Sequence, residues 1–182
     1  TDQKPINPPF RAEHIGSLLR PDELRRAFRD LSKGEITAEK FHSVQEQCIR
    51  DVVKMQEDVG LQLVTDGEFR RTTYISHFVE SVDGLDFGPS SFRFYDAVGG
   101  EHEFVGPQCV GKVKRVKSNS GEEFDFLKTL TNQTPKMTLP SPATMHFLGG
   151  ANQPPAEAYA DVEEFFSDLA LAYEEDIADL AA

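Results

Sequence analysis

The chain has 182 residues, 38% hydrophobic and 27% charged, ordinary proportions for a soluble globular protein long enough to bury a core and unlike those of a disordered chain. With 31 acidic against 19 basic residues the formal net charge is -12, a field that repels phosphate backbones and anionic bilayers and so argues against nucleic acid and membranes as partners. The opening TDQKPINPPF lacks the apolar core of a signal peptide, no run approaches a membrane span, and Cys48 and Cys109 are too few for a disulfide framework, so a cytoplasmic location is expected.

In chain order, the first ten residues carry three prolines and read as an arm. Phe10–Leu19, FRAEHIGSLL, predicts a short strand ending near Ile15 with Gly16-Ser17 on the turn after it. Pro21 and Asp22 suit a helix start, and Leu24, Ala27, Phe28 and Leu31 recur at helical spacing until Gly34. A second helix is predicted from an N-cap at Thr37 through a stripe of Phe41, Val44, Cys48, Val52, Met55 and Val59 to a terminating Gly60.

Next comes GLQLVTDGEFRR, Gly60–Arg71, the stretch around which the chain is organised. Leu61, Leu63 and Val64 alternate as a buried strand, which breaks into Asp66, Gly67, Glu68, Arg70 and Arg71. A glycine between two carboxylates implies a turn that aims both at one small space. Charge pattern alone equally allows a solvated turn in which Asp66 and Glu68 pair with Arg70 and Arg71.

From Thr72 to about Pro107 the pattern loosens around seven glycine and proline positions, an excursion expected to contain a hairpin. A strand over Val110–Val116, a helix over Ser120–Thr131 and a strand over Lys136–Leu139 follow, the last running into Pro140-Ser141-Pro142. A loop with Asn152, Pro154 and Pro155 leads to the longest helix, capped by Asp161 and buried along Val162, Phe165, Phe166, Leu169, Tyr173, Ile177 and Leu180. Strand and helix patterns thus alternate four times, as β/α units of a parallel sheet do. Ala181 and Ala182 close a helical pattern with no glycine, proline or basic last turn, amid Glu174, Glu175, Asp176 and Asp179. The sequence is therefore expected to stop before a following strand.

Four stretches, EHIGSLLRP (Glu13–Pro21), VTDGEFRR (Val64–Arg71), LPSPATMHF (Leu139–Phe147) and AYEEDIADL in the final helix, resemble the N-terminal half of the cobalamin-independent methionine synthase catalytic domain, most nearly its short single-barrel members. The resemblance covers nearly the whole chain and is weakest over Thr72–Pro107. It implies an α/β fold, a (β/α)8 TIM barrel of which residues 1–182 supply about the first four units plus a hairpin-containing insertion, with the active site at the C-terminal ends of the strands.

The resemblance further implies a zinc-dependent methyltransferase that moves a methyl group from a methylated folate to the thiol of homocysteine, making methionine. By this likeness the turn of Ile15, Gly16 and Ser17 and the carboxylate of Glu68 bind the amino-acid substrate, with His14, Arg20 and Asp66 behind them. A carboxylate suits a buried ammonium, and a turn of N–H groups with a hydroxyl suits a carboxylate. The family's zinc ligands, a His-x-Cys pair, a Glu and a later Cys, have no counterpart here. The five histidines show no ligand spacing, so zinc is expected in a missing second half and the barrel's remainder, or a second chain, is an expected partner.

Other readings stay open. Ser17 serves equally as a helix cap, and His14 as a structural histidine. Lys112, Lys114, Arg115 and Lys117 suit either a solvated strand edge or a polyglutamate or phosphate contact. Relatives in the same superfamily alkylate a coenzyme M thiol, or decarboxylate porphyrins without metal, and a non-catalytic half-barrel that binds an amino acid or a partner chain fits the same pattern.

Overall fold

The computed structural model describes residues 12–150 and 153–181; the arm expected over residues 1–10 and Asn152 of the expected loop lie outside them. In chain order the elements are α1 (Asp22–Ser32), α2 (Ala38–Asp58), β1 (Leu63–Val64), α3 (Ser76–Ser81), β2 (Val82–Tyr95), β3 (Glu101–Arg115), α4 (Gly121–Leu130), β4 (Thr134–Pro135), α5 (Pro142–Phe147) and α6 (Val162–Ala181). The chain divides into two compact units. One comprises residues up to Arg70 together with Glu123–Thr138, the other Arg71–Glu122 together with residues from Leu139 onward.

The first unit is built on α2. Thr37 caps it, its hydroxyl oxygen accepting the Lys40 N–H, which satisfies one of the unpaired donors of the first turn. At the other end Gly60 takes φ 86°, and the Leu61 and Gly60 amides donate back to Gln56 O and Glu57 O at 3.0 and 2.9 Å. Only a left-handed residue closes a helix end in this way. The helix leads into β1, which pairs in parallel with β4 in the register Leu63 to Thr134 and Val64 to Pro135. Leu24, Phe41, Cys48, Ile49, Val52, Val53, Val64, Phe69 and Leu127 form the core of the unit, each large side chain worth about 1.5–3 kcal/mol of burial.

The stripe expected on α2 is rotated. Met55 and Val59 are exposed, and the buried face is Phe41, Gln45, Cys48, Ile49, Val52, Val53 and Gln56. Two amides thus occupy positions that hydrophobic periodicity assigns to apolar groups, because the backbone beside them needs partners.

The second unit centres on an antiparallel hairpin, β2 with β3, which runs from Val82 opposite Arg115 to Tyr95 opposite Glu101 with irregularities between Asp83 and Leu85 and between Pro89 and Arg93. Gly84 sits at the first of these with φ 84°, and a Cβ there would lie 2.2 Å from Lys112 O. Phe165, Leu169, Ala172 and Tyr173 of α6 share a core with Val113, Leu85 and Phe78, and the rings of Phe78 and Tyr173 stack with centroids 4.2 Å apart. The Tyr173 hydroxyl donates to Pro140 O at 2.7 Å. Asp161 caps α6, accepting the Glu164 N–H at 2.9 Å. Ile177 is 55% exposed and Val162 also faces outward, correcting the stripe expected there. In their place Asp176 is buried, its Oδ1 accepting from the Asn119 amide at 2.8 Å and the Arg115 guanidinium at 3.3 Å.

The fold is therefore mixed α/β, and the expectation of four parallel strands is corrected. Residues 12–15 form no strand, the strand expected at Val110–Val116 is the return arm of the hairpin, and the one expected at Lys136–Leu139 lies at Thr134–Pro135. Among the described residues the sheets are one parallel pair and one hairpin, and they close no barrel. No helix among them is long and apolar enough to cross a membrane.

Candidate functional site

Where β1 ends, the backbone has left its ladder with β4, no second strand among the described residues pairs with it, and α2 supplies the missing groups. The Gln56 side chain accepts the Thr65 N–H at 3.0 Å and donates to Thr65 O at 2.8 Å, an amide mimicking a strand edge. Eleven residues earlier on the same helix face, Gln45 donates to Phe69 O at 3.2 Å and accepts from Arg70 Nη1 at 3.4 Å. Between these two anchors the chain turns. Thr65 Oγ1 accepts the Gly67 N–H at 3.1 Å and Asp66 Oδ1 accepts the Glu68 N–H at 2.9 Å, with Gly67 and Glu68 both left-handed at φ 73° and 58°.

The turn separates the two carboxylates in role. Asp66 is buried and directs Oδ1 at the turn's own backbone, where it stabilises the conformation. Glu68 is 4% exposed, and its Oε1 accepts the Thr138 hydroxyl at 2.8 Å. Glu68 is also the one non-glycine among the described residues with positive φ.

The Glu13–Pro21 stretch lies against this turn. The Leu18 amide donates to Gly67 O at 3.1 Å, and the Ser17 hydroxyl reaches Gly67 O at 3.2 Å and Leu18 O at 2.9 Å. Gly16 makes the bend with φ 91°. His14 Nε2 lies 3.0 Å from Thr65 Oγ1, and Arg20 Nη2 donates to Glu68 O at 3.3 Å. Burial, followed by the positive charge of Lys136, holds the His14 imidazole below its ordinary value, which favours the neutral ring.

Gly16, Ser17, Glu68, His14, Arg20 and Asp66 are thus brought into one loop cluster within one unit. Ile15 differs, because its side chain is 87% exposed and only its backbone belongs to the bend. Ser17 does not cap α1, whose N-cap position is Pro21. Gln45, Gln56, Lys136 and Thr138 take part although sequence reasoning passed over them. The signal for the glutamines was present: Phe41, Gln45, Cys48, Val52 and Gln56 make an unbroken stripe once Gln is admitted to it.

Among the described residues no group of three or more His, Cys, Asp or Glu side chains could hold a metal ion. The two thiols agree with this chemistry. Burial, with the Glu23 carboxylate next, pushes Cys48 up to about 12, and burial raises Cys109, so neither offers a thiolate near neutral pH. A zinc ion does not fit the described residues.

The sequence profile described as "Cobalamin-independent synthase, Catalytic domain" matches residues 10–182. The chain belongs to this family. It is 35% identical over 178 residues to the uncharacterized protein YxjH of Bacillus subtilis, a match covering 96% of this chain and 46% of that one. It is 28% identical over 188 residues to the 5-methyltetrahydropteroyltriglutamate–homocysteine methyltransferase of Thermosynechococcus vestitus, covering 98% of this chain and 23% of that enzyme. A crystal structure from Listeria monocytogenes, described as a putative vitamin-B12-independent methionine synthase, superposes with a TM-score of 0.74 at 32% identity, covering 95% of this chain and 48% of that one. The chain therefore spans less than half the length of each of these relatives.

Proposed function

We propose that this chain supplies the amino-acid-binding part of a thiol methyltransferase, with homocysteine as acceptor, a methyltetrahydrofolate as donor and a (β/α)8 barrel as the completed fold. The observation that carries the reading is Glu68: a buried carboxylate held in a strained backbone conformation, one oxygen fixed by a hydroxyl, beside a glycine-serine bend. Left-handed backbone costs an L-residue about 1–2 kcal/mol, and such strain persists where the surroundings and the function require it. A buried carboxylate needs cationic or donor partners; the Thr138 hydroxyl and the nearby Arg20 charge supply two, and the ammonium of an amino acid would be a further one. Next to it, Gly16 and Ser17 present a turn and a hydroxyl suited to the substrate carboxylate, with the Ser17 hydroxyl able to exchange its backbone partners for the ligand.

In this reading the chain's residues bind and orient. Glu68 takes the ammonium, Ser17 and the bend take the carboxylate, and the thiol is left directed away from both toward the reacting methyl group. Zinc, which would activate that thiol, would be held by the remainder of the barrel. Similarity to the Thermosynechococcus methyltransferase supports homocysteine as the acceptor, and coverage of less than half of each relative supports a barrel completed by further residues. Glu68→Gln tests it. Loss of one charge-assisted hydrogen bond, about 1.5–3 kcal/mol, raises the Kd for L-homocysteine by about 10- to 100-fold. An unchanged affinity overturns the reading.

A further inference from the structure

The exit of β4 carries two side chains that both reach the Glu68 cluster. The Lys136 amide donates to Val64 O at 2.8 Å, continuing the ladder with β1, and two residues on, Thr138 returns to the same side of the extended chain. From this one anchored segment Lys136 Nζ donates to Glu13 Oε1 at 2.8 Å and to the His14 carbonyl at 2.5 Å, while Thr138 Oγ1 donates to Glu68 Oε1 at 2.8 Å. The Lys136 side chain is 19% exposed and that of Glu13 33%; their contact is open to solvent and so screened, and the bond to the His14 carbonyl is the half-buried part of the tie.

These contacts address what each wall of the cluster lacks. Residues 12–15 belong to no helix or strand, and Lys136 ties that segment by a charged pair and a carbonyl just before the bend at Gly16. Glu68 is not aimed by ordinary backbone preference, since its φ is 58°. Fixing one of its two carboxylate oxygens on Thr138 sets the direction of the other.

We infer that Lys136 and Thr138 are positioning residues for the amino-acid pocket, Thr138 aiming the Glu68 carboxylate and Lys136 holding the segment that carries the Gly16-Ser17 bend. The inference rests on the pocket reading above, and its test separates the two. In the ligand-free protein, Lys136→Met raises hydrogen exchange at the Leu18 amide, which bonds Gly67 O, by about tenfold or more, the cost of one weakened contact. Amides in the middle of α2, in the same unit, stay unchanged, whereas destabilisation of the whole unit raises them as well. Also without ligand, Thr138→Val moves the Glu68 carboxyl carbon resonance and Thr138→Ser restores it. With L-homocysteine, Thr138→Val weakens binding by about 5- to 10-fold, Thr138→Ser rescues it, and Thr138→Val adds nothing in a Glu68→Gln background, as coupled residues require.

Unchanged Leu18 exchange in Lys136→Met, or an unmoved Glu68 resonance in Thr138→Val, overturns the positioning roles. Failure of the wild-type protein to bind homocysteine, with both ligand-free effects present, overturns the substrate reading and leaves the positioning geometry standing.

Discussion

Glu68 combines three properties that rarely coincide: near-complete burial, a carboxylate and a φ of 58°. Because a Cβ is what makes the left-handed region costly, glycine at this position stabilises the fold relative to alanine. Chemical denaturation of Glu68→Gly and Glu68→Ala should therefore differ by about 1 kcal/mol in favour of glycine; equal midpoints contradict the strain. His14 makes a second statement at this scale. Its folded value lies below 6.5 because of burial and Lys136, so the unfolded chain binds the proton more readily. Its contribution to stability is fully present above about pH 6.5 and is lost as pH falls from there through the lowered folded value. His14→Gln removes that part of the acid sensitivity, which denaturation curves at pH 7 and pH 5 measure. Much at this scale was legible. A glycine between two acidic residues announced the turn, and EHIGSLLRP announced the bend that meets it. Which carboxylate faces its own backbone was not, because Asp66 and Glu68 differ only in where the turn points them.

At the scale of elements, α2 does two jobs with one face. Its apolar residues bury the core, and Gln45 and Gln56 bond the backbone at the two ends of the turn between β1 and Arg70. Gln56→Ala leaves the Thr65 N–H and C=O buried and unpaired, at about 1–3 kcal/mol each, so the variant should lose about 3 kcal/mol in urea denaturation, several times what an exposed glutamine on the same helix would lose. The caps of α1, α2 and α6 were readable from Pro21, Thr37, Gly60 and Asp161, since those residues act locally. The hairpin was expected within Thr72–Pro107 and is found there, but its return arm, Glu101–Arg115, runs past that stretch, and its last part read as a separate strand. Irregular register at Gly84 and between Pro89 and Arg93 breaks the two-residue alternation that marks a strand. Gly84→Ala places a Cβ 2.2 Å from a backbone oxygen at φ 84° and should cost about 2 kcal/mol or more, read as a fall in the melting midpoint. The shortness of β1 and β4, two residues each, explains why Lys136–Leu139 read as the strand. Apolar character continues past the point where the ladder ends.

On the scale of the molecule, the two units divide the work. The first holds the Glu68 cluster on α2, β1 and β4, and the second packs α6 against the hairpin. Family membership follows from the match over residues 10–182, and four short stretches of sequence sufficed to suggest it. The topology did not follow as readily, because alternating strand and helix patterns do not say which strands pair. The pair that carries the cluster, β1 with β4, joins residues about 70 apart. Recognition of the ammonium group of a thiol amino acid by this cluster, as proposed, is tested most directly by calorimetric titration. L-Homocysteine and its analogue without the amino group, 4-sulfanylbutanoate, are titrated in turn into the wild-type protein and into Glu68→Gln. A pocket built on Glu68 binds homocysteine at least about tenfold more tightly than the analogue, the worth of one charge-assisted hydrogen bond, and Glu68→Gln abolishes that preference. Equal affinity of the wild-type protein for the two thiols would contradict it.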